Sequence, residues 1–275
     1  MYSKVYVEIT NICNKSCSFC HGHRRAPRQM TRAEFALILD KLAGQTKYIY
    51  YHLMGEPLLH PQLPEFIRMS GERGYKSIIT TNGTLLGRRG EDIISAGIHK
   101  INISLHSFED ESLEEHEAYL RGITDFAKKA AEAGTIVVLR FWNKGVDGGQ
   151  NKHALDFLKE NITGEWKDNT RGIKIRDKIF VDFGERFEWP DLAADIKGTK
   201  FSCYGLRDQF GILADGTVVP CCLDSEGIIN LGNIFEDDIT SILNSKRAVA
   251  IANEFKSGNA AEDLCKRCGY ARRFV

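Results

Sequence analysis

Short runs of apolar and β-branched residues alternate along this chain with stretches in which apolar residues recur every three or four positions. Val5 to Ile9, Tyr48 to Met54, Ser77 to Thr81, Ile101 to Leu105 and Ile136 to Trp142 read as buried strands. Between them, Arg32 to Leu42, Gln62 to Glu72, Gly90 to Ala96 and Glu117 to Ala133 read as helices. Gly74, Gly97 and Gly134 fall where helix C-terminal caps belong. A strand–helix–strand rhythm of this length implies parallel strands joined by right-handed crossovers. A sixth strand is expected within Gly172 to Phe183, after a helix over Lys152 to Asn161. Six such units predict an α/β fold, a partial (β/α)6 TIM-like barrel short of the eight units that close one.

The rhythm breaks near Glu185, so residues 1–184 are expected to form the barrel core and 185–275 a small cysteine-rich α+β extension. Ala214-Asp-Gly-Thr217 reads as a hairpin turn, and Ile239 to Phe255 as a helix between the two halves of the tail's cysteine set. No repeat or low-complexity linker separates the parts, so the extension should pack directly on the barrel.

Charge is balanced, with 37 Lys and Arg against 37 Asp and Glu, which argues against a polymeric nucleic-acid partner. No apolar run approaches a membrane span, and a strand begins by residue 5, leaving no room for a signal peptide. A cytoplasmic location is expected. With eight cysteines and no export signal, metal or redox use is favoured over a disulfide framework.

Cys13, Cys17 and Cys20 crowd into eight residues just after the first strand. Three sulfurs do not complete a tetrahedral zinc site or saturate a cubane, but they suit a four-iron cluster with one iron open to a non-protein ligand. The alternative is three unrelated buried thiols. The pattern Cys-x3-Cys-x2-Cys, with Phe19 before its last cysteine, resembles that of the radical S-adenosylmethionine (SAM) superfamily.

That resemblance implies that SAM fills the open iron position and is cleaved to methionine and a 5′-deoxyadenosyl radical, which takes hydrogen from a substrate. It implies an electron donor of flavodoxin or ferredoxin type. Met54-Gly55-Glu56-Pro57 resembles the family's Gly-Gly-Glu motif, which grips the SAM amino group, with Met54 in place of the first glycine. By the same resemblance Asn82, Ser104 and His106 belong to ribose contacts, Arg140 and Asn143 to the SAM carboxylate, and Phe19 to the adenine. All sit at expected strand ends, where parallel barrels gather their active sites.

Cys203, Cys221, Cys265 and Cys268 make a second set with four thiolates, which fits zinc or a saturated iron–sulfur cluster. The run Cys203…Gly216-x4-Cys221 resembles the twitch and SPASM extensions of radical SAM enzymes, which implies an auxiliary four-iron cluster. Cys222 is left over and reads as a packed thiol.

The basic run His21-Gly-His-Arg-Arg25 with Arg28 is a solvated face or, beside the cluster loop, a site for an anionic substrate. His52, His60 and His106 are candidates for proton transfer, and Lys174, Arg176 and Asp182 for the substrate side. Compact radical SAM enzymes of two types resemble this chain, queuine lyases and aminocyclitol dehydrogenases. The basic run favours the lyase, acting on queuosine or its 5′-phosphate, a modified nucleoside or nucleotide. A radical dehydrogenase of an alcohol is the alternative, followed by a peptide maturase and a non-catalytic zinc-binding module.

Overall fold

The computed structural model describes residues 1–108, 112–170 and 172–274. Its strands are β1 (Lys4–Val7), β2 (Tyr48–Tyr50), β3 (Lys76–Thr81), β4 (Lys100–Ser104), β5 (Ile136–Lys144), β6 (Lys167–Asn169), β7 (Gly172–Arg176), β8 (Ile179–Glu185), β9 (Gln209–Ile212) and β10 (Val218–Val219). They form one sheet in the order β10-β9-β1-β2-β3-β4-β5-β8-β7-β6. From β9 to β8 every neighbouring pair is parallel. The fold is the α/β partial barrel expected from the periodicity.

Five helices cover one face: α1 (Arg32–Lys41), α2 (Leu63–Glu72), α3 (Leu86–Ser95), α4 (Leu113–Glu132) and α5 (Gln150–Asn161). Helix starts are fixed by capping boxes, Thr31 with Glu34 for α1 and Ser112 with Glu115 for α4. Of the acidic stretch from Glu109 to Glu117, the first three residues lie outside the described ones, and the rest open α4. Gly74, Gly97 and Gly134 follow α2, α3 and α4 with positive φ, as the cap reading requires.

Alternate strand residues Val5, Val7, Ile49, Ile79, Ile101, Ile103, Val137, Leu139, Ile179 and Val181 share one core with Phe35, Phe66, Leu120 and Ile123 of the helices. The period of two therefore turns Tyr6, Tyr50, Asn102, Ser104, Arg140 and Asp182 to the inner face.

Three expectations need correcting. The sixth strand is two: β7 folds back antiparallel on β8 through a turn at Lys178, whose φ is 63°. The helix over Ile239 to Phe255 is two, α6 (Ile239–Leu243) and α7 (Lys246–Lys256), because Ser245 caps a new start. A final short helix, α8, spans Asp263–Lys266. The extension also does more than pack on the barrel: β9 pairs with β1 from Lys4↔Gln209 to Val7↔Ile212 and continues the sheet. The turn containing Gly216 then returns the chain as β10.

Without β9, the backbone edge of β1 would be bare, and an unpaired edge invites association. A chain ending at residue 198 should therefore be recovered by size-exclusion chromatography mainly as aggregate. A stable monomer would show that β9 is dispensable to the sheet.

Candidate functional site

The loop that follows β1 carries Cys13, Cys17 and Cys20, and it is tied down at several points along its length. Asn14 exchanges hydrogen bonds with the end of β3: Asn82 Nδ2 donates to Asn14 Oδ1 at 2.9 Å, and Asn14 Nδ2 to Thr84 Oγ1 at 2.9 Å. Cys17 Sγ lies 3.7 Å from the Ser107 carbonyl, and the Cys20 N–H donates to the Cys17 carbonyl at 3.0 Å. Cys13 and Cys20 are exposed and Cys17 is half-buried. Three soft sulfur donors on one short loop fit a cluster that keeps one iron for an outside ligand.

Gly55 lets the next segment approach this loop. Its φ is +75°, and a Cβ there would stand 2.4 Å from the Thr10 carbonyl oxygen. Glu56 N–H then donates to the Ile12 carbonyl at 2.8 Å. The Glu56 carboxylate is buried and accepts from Thr81 Oγ1 at 2.7 Å, Asn82 N–H at 2.8 Å and Leu58 N–H at 3.0 Å. Burial pushes its pKa up to about 6, against the pull of those three donors. Glu56 thus ties β2 to β3 in the structure.

Four residues expected at strand ends sit as follows, with Arg140 found in the middle of β5, level with the end of β4. His106 Nδ1 lies 3.1 Å from the Arg140 carbonyl, and its ring is 4.8 Å from that of Phe19. The two rings join the cysteine loop to β5. Ser104, half-buried, lies on the inner face beside Arg140, its register partner. Arg140 runs along Trp142 at 4.8 Å, with Asp182 Oδ2 at 3.9 Å from Nε. Burial pulls the guanidinium below the ordinary arginine value, and Asp182 pushes it part of the way back. Asn143 is buried and accepts from Asn151 Nδ2 at 2.9 Å, so its carboxamide oxygen holds α5.

Other candidates are placed differently from the sequence reading. Lys174 pairs with Phe180 and Arg176 with Ile179, at the amino end of β8, away from the cysteine loop. His60 Nε2–H donates to the Met30 carbonyl at 2.8 Å and Nδ1 accepts from the Gln62 N–H at 3.2 Å, a structural position. His52 stands edge-on to Tyr6 and Tyr50 on the inner face, and burial pulls its pKa down to about 3, so it stays neutral.

The basic run is the clearest correction. Arg25 makes two 2.7 Å hydrogen bonds to the carboxylate of Glu8, which is fully buried. Arg28 pairs with Glu34 and donates to the Ala214 carbonyl at 2.7 Å. Both cations have carboxylate partners within the chain. Glu8, which the sequence reading missed, also accepts from Met54 N–H at 3.1 Å and Ala214 N–H at 3.0 Å. Its only sequence signal is a carboxylate at a strand end beside a cysteine loop.

Cys203, Cys221, Cys265 and Cys268 line one apolar cavity with Phe201, Pro220, Phe255 and Leu264. Burial raises all four thiols, Cys265 to about 12 and Cys268 to about 11, and the thiols raise one another further. Such a group is costly to ionise without a cationic core, which is what a metal cluster supplies. Among the described residues no three His, Cys, Asp or Glu side chains converge on a single ion. Cys222 instead packs with Tyr6, Tyr50 and Leu53 at the inner face.

Two outcomes follow. Arg25→Ala leaves Glu8 buried without its counter-charge and should cost about 3–5 kcal/mol of stability in denaturant unfolding, much of it recovered by adding Glu8→Gln. The protonated form of Glu56 is favoured in the folded state, whose carboxyl titrates near 6 against 4.5 unfolded, so this group makes stability fall as pH rises between those values. Glu56→Gln should flatten that fall, about 2 kcal/mol, in unfolding curves of the SAM-free protein.

Residues 7–157 match the model of the radical SAM superfamily, and residues 203–269 match SPASM, an iron–sulfur cluster-binding domain. The chain is 22% identical to the S-adenosyl-L-methionine-dependent 2-deoxy-scyllo-inosamine dehydrogenase of Niallia circulans, covering 98% of this chain and 93% of that one. It is 33% identical to a probable GTP 3′,8-cyclase of Methanocella arvoryzae over 88% of both chains. Its match to the GTP 3′,8-cyclase of Chlorobaculum tepidum, 34% identical, spans only 34% of that enzyme's length. The crystal structure of BtrN in complex with AdoMet and 2-DOIA superposes with a TM-score of 0.64, at 21% identity, covering 98% of this chain and 93% of that one. With the cysteine loop, the strand-end residues and the four-thiol cavity in place, these matches establish that the chain belongs to the radical SAM superfamily, with a SPASM-type iron–sulfur extension.

Proposed function

We propose that this enzyme oxidises an alcohol-bearing small molecule, removing hydrogen from a carbon that carries a hydroxyl. One observation carries this reading: the loop with Cys221 and Cys222 borders the inner face, where Cys222 packs on Tyr6 and Tyr50. A redox-capable site therefore adjoins the space in which a substrate would lie. An oxidation makes use of that neighbour, and a lyase has no need of it.

When bound, the cluster on Cys13, Cys17 and Cys20 and its SAM supply a radical able to take hydrogen from an unactivated C–H bond. The chain's own residues bind and orient. Phe19, Gly55, Glu56, Asn82, Ser104 and His106 surround the loop end of the strands where SAM would sit. Asn143 is held by Asn151 and steadies that rim from behind. On the inner face, the Arg140 guanidinium, whose buried Nε has no hydrogen-bond partner among the described residues, would donate to a substrate oxygen, and Asp182, which accepts from Trp142 Nε1–H at 3.0 Å, would accept the hydroxyl proton. Neutral His52 adds a polar group without charge. Tyr6, Tyr50 and Leu53 make an apolar floor that excludes water.

The nucleotide reading rested on the basic run, and Arg25 and Arg28 are engaged by Glu8 and Glu34. The queuine lyase expected from the sequence and the GTP cyclase, which alone of the two is named among the relatives reported above, therefore enter as competing outcomes. Reduced, iron-loaded enzyme with SAM should form 5′-deoxyadenosine faster with 2-deoxy-scyllo-inosamine or a related amino alcohol, together with the corresponding ketone. Stimulation only by queuosine 5′-phosphate with release of free base, or only by GTP, would replace this reading. Replacing Cys13, Cys17 and Cys20 with Ala should abolish SAM cleavage. Replacing Cys265 and Cys268 with Ala should spare cleavage at saturating SAM and remove the ketone.

A further inference from the structure

Between β8 and the cysteine-rich tail, residues Arg186 to Pro190 run without helix or strand. On one side they hold the first cysteine loop at its far end. Arg186 donates to Ser18 Oγ at 3.1 Å, and its guanidinium lies 5.7 Å from the Phe19 ring. Trp189 donates its indole N–H to the Phe19 carbonyl at 3.1 Å, and its ring stacks on His21. These contacts fall on the residues immediately around Cys20.

On the other side the same five residues hold the Cys265-x2-Cys268 end. Gly269 N–H, directly after Cys268, donates to the Glu188 carbonyl at 3.2 Å. The approach is so close that a Cβ on Gly269 would stand 2.7 Å from that oxygen. Phe187 meets Tyr270 edge-on at 5.1 Å, and Glu188 pairs with Lys197. Pro190 lines the cavity of the four thiols. One short irregular stretch thus touches both cysteine sites, and a stretch with no internal hydrogen-bond ladder takes its shape from what it touches.

We propose that this strap makes the two iron–sulfur sites thermodynamically dependent, with Trp189 as the positioning residue that passes the state of the four-cysteine site to Cys20. When the tail's site is complete, Gly269 and Pro190 fix the strap, and the strap fixes the Phe19–Cys20 end of the loop on which SAM binding depends. Linkage requires the reverse as well, so SAM at the first site must steady the second by the same factor. This inference rests on the superfamily assignment and is independent of which substrate the enzyme oxidises.

Trp189→Phe keeps a ring against His21 and removes the indole N–H. In iron-loaded enzyme the SAM dissociation constant, read from the change SAM makes in the EPR spectrum of the reduced first cluster, should rise roughly fivefold, the effect of one lost hydrogen bond. In the unmodified enzyme, SAM should slow the loss of iron from the second cluster to a chelator. Trp189→Phe should abolish that protection. Arg186→Ala, which removes the bond to Ser18 Oγ, gives a second reading with the same expected direction should the tryptophan variant take up less iron. Wild-type SAM affinity and intact protection in a fully loaded variant would overturn the proposal. So would a native second cluster whose iron loss is indifferent to SAM.

Discussion

A carboxylate with no exposed surface, Glu8 at the end of the first strand, sets the arrangement on which the rest depends. Isolated, its burial would be strongly unfavourable. It is tolerated because four donors from three segments converge on it: both guanidinium nitrogens of Arg25, Met54 N–H and Ala214 N–H. Arg25 Nε in turn donates to the Ser225 carbonyl at 2.7 Å. The cysteine loop, the Met54–Glu56 segment and the tail must all reach one point for the charge to be satisfied. A buried pair of this kind contributes little net stability over an apolar replacement, but it penalises alternatives that separate its partners. The extension is therefore part of the machinery that shapes the first cysteine loop.

The periodicity carried most of the fold, since strands buried on the helix face and helices closed by glycine leave local marks. Pairing between β9 and β1 left none: Gln209–Ile212 is four residues in a cysteine-rich tail, and a strand's partner is decided by tertiary contact rather than by its own pattern. The split of Ile239 to Phe255 was marked only by Asn244-Ser245, two of several polar residues in that stretch. The cysteines were legible because ligand spacing is a local property of the chain. Arg25 and Arg28 were not, because a cation's partner 17 residues away in Glu8, or six away in Glu34, is a fact about folding rather than composition. A basic run beside a cofactor loop and a basic run that braces the loop read alike.

The inner face shows a further consequence of strand alternation. Three of its buried polar atoms, His52 Nδ1, Asn102 Oδ1 and Arg140 Nε, lack a hydrogen-bond partner among the described residues. Native structures keep few such atoms, and those they keep ordinarily meet a ligand or water. They come from β4, β5 and the segment just after β2, and lie on the side away from the helices, where Asp182 and the tyrosines also point. The distribution of unmet hydrogen-bonding capacity thus marks the same surface as the strand-end residues do. His52 can serve there as a neutral hydrogen-bonding group, since its burial among Tyr6, Tyr50 and Arg140 disfavours the imidazolium.

The departure at Met54 follows from the same carboxylate. A glycine is indispensable where φ is positive or where another backbone comes within reach of a Cβ. Both conditions hold at Gly55, against Thr10 and Asn11. Neither is required at Met54, which is not among the residues with positive φ and whose side chain is buried. Its N–H is already directed at Glu8 Oε1, so the path of the segment is fixed at Met54 by a hydrogen bond and at Gly55 by contact. With the backbone held from that side, a methionine side chain is compatible with the turn that delivers Glu56 to Thr81 and Asn82.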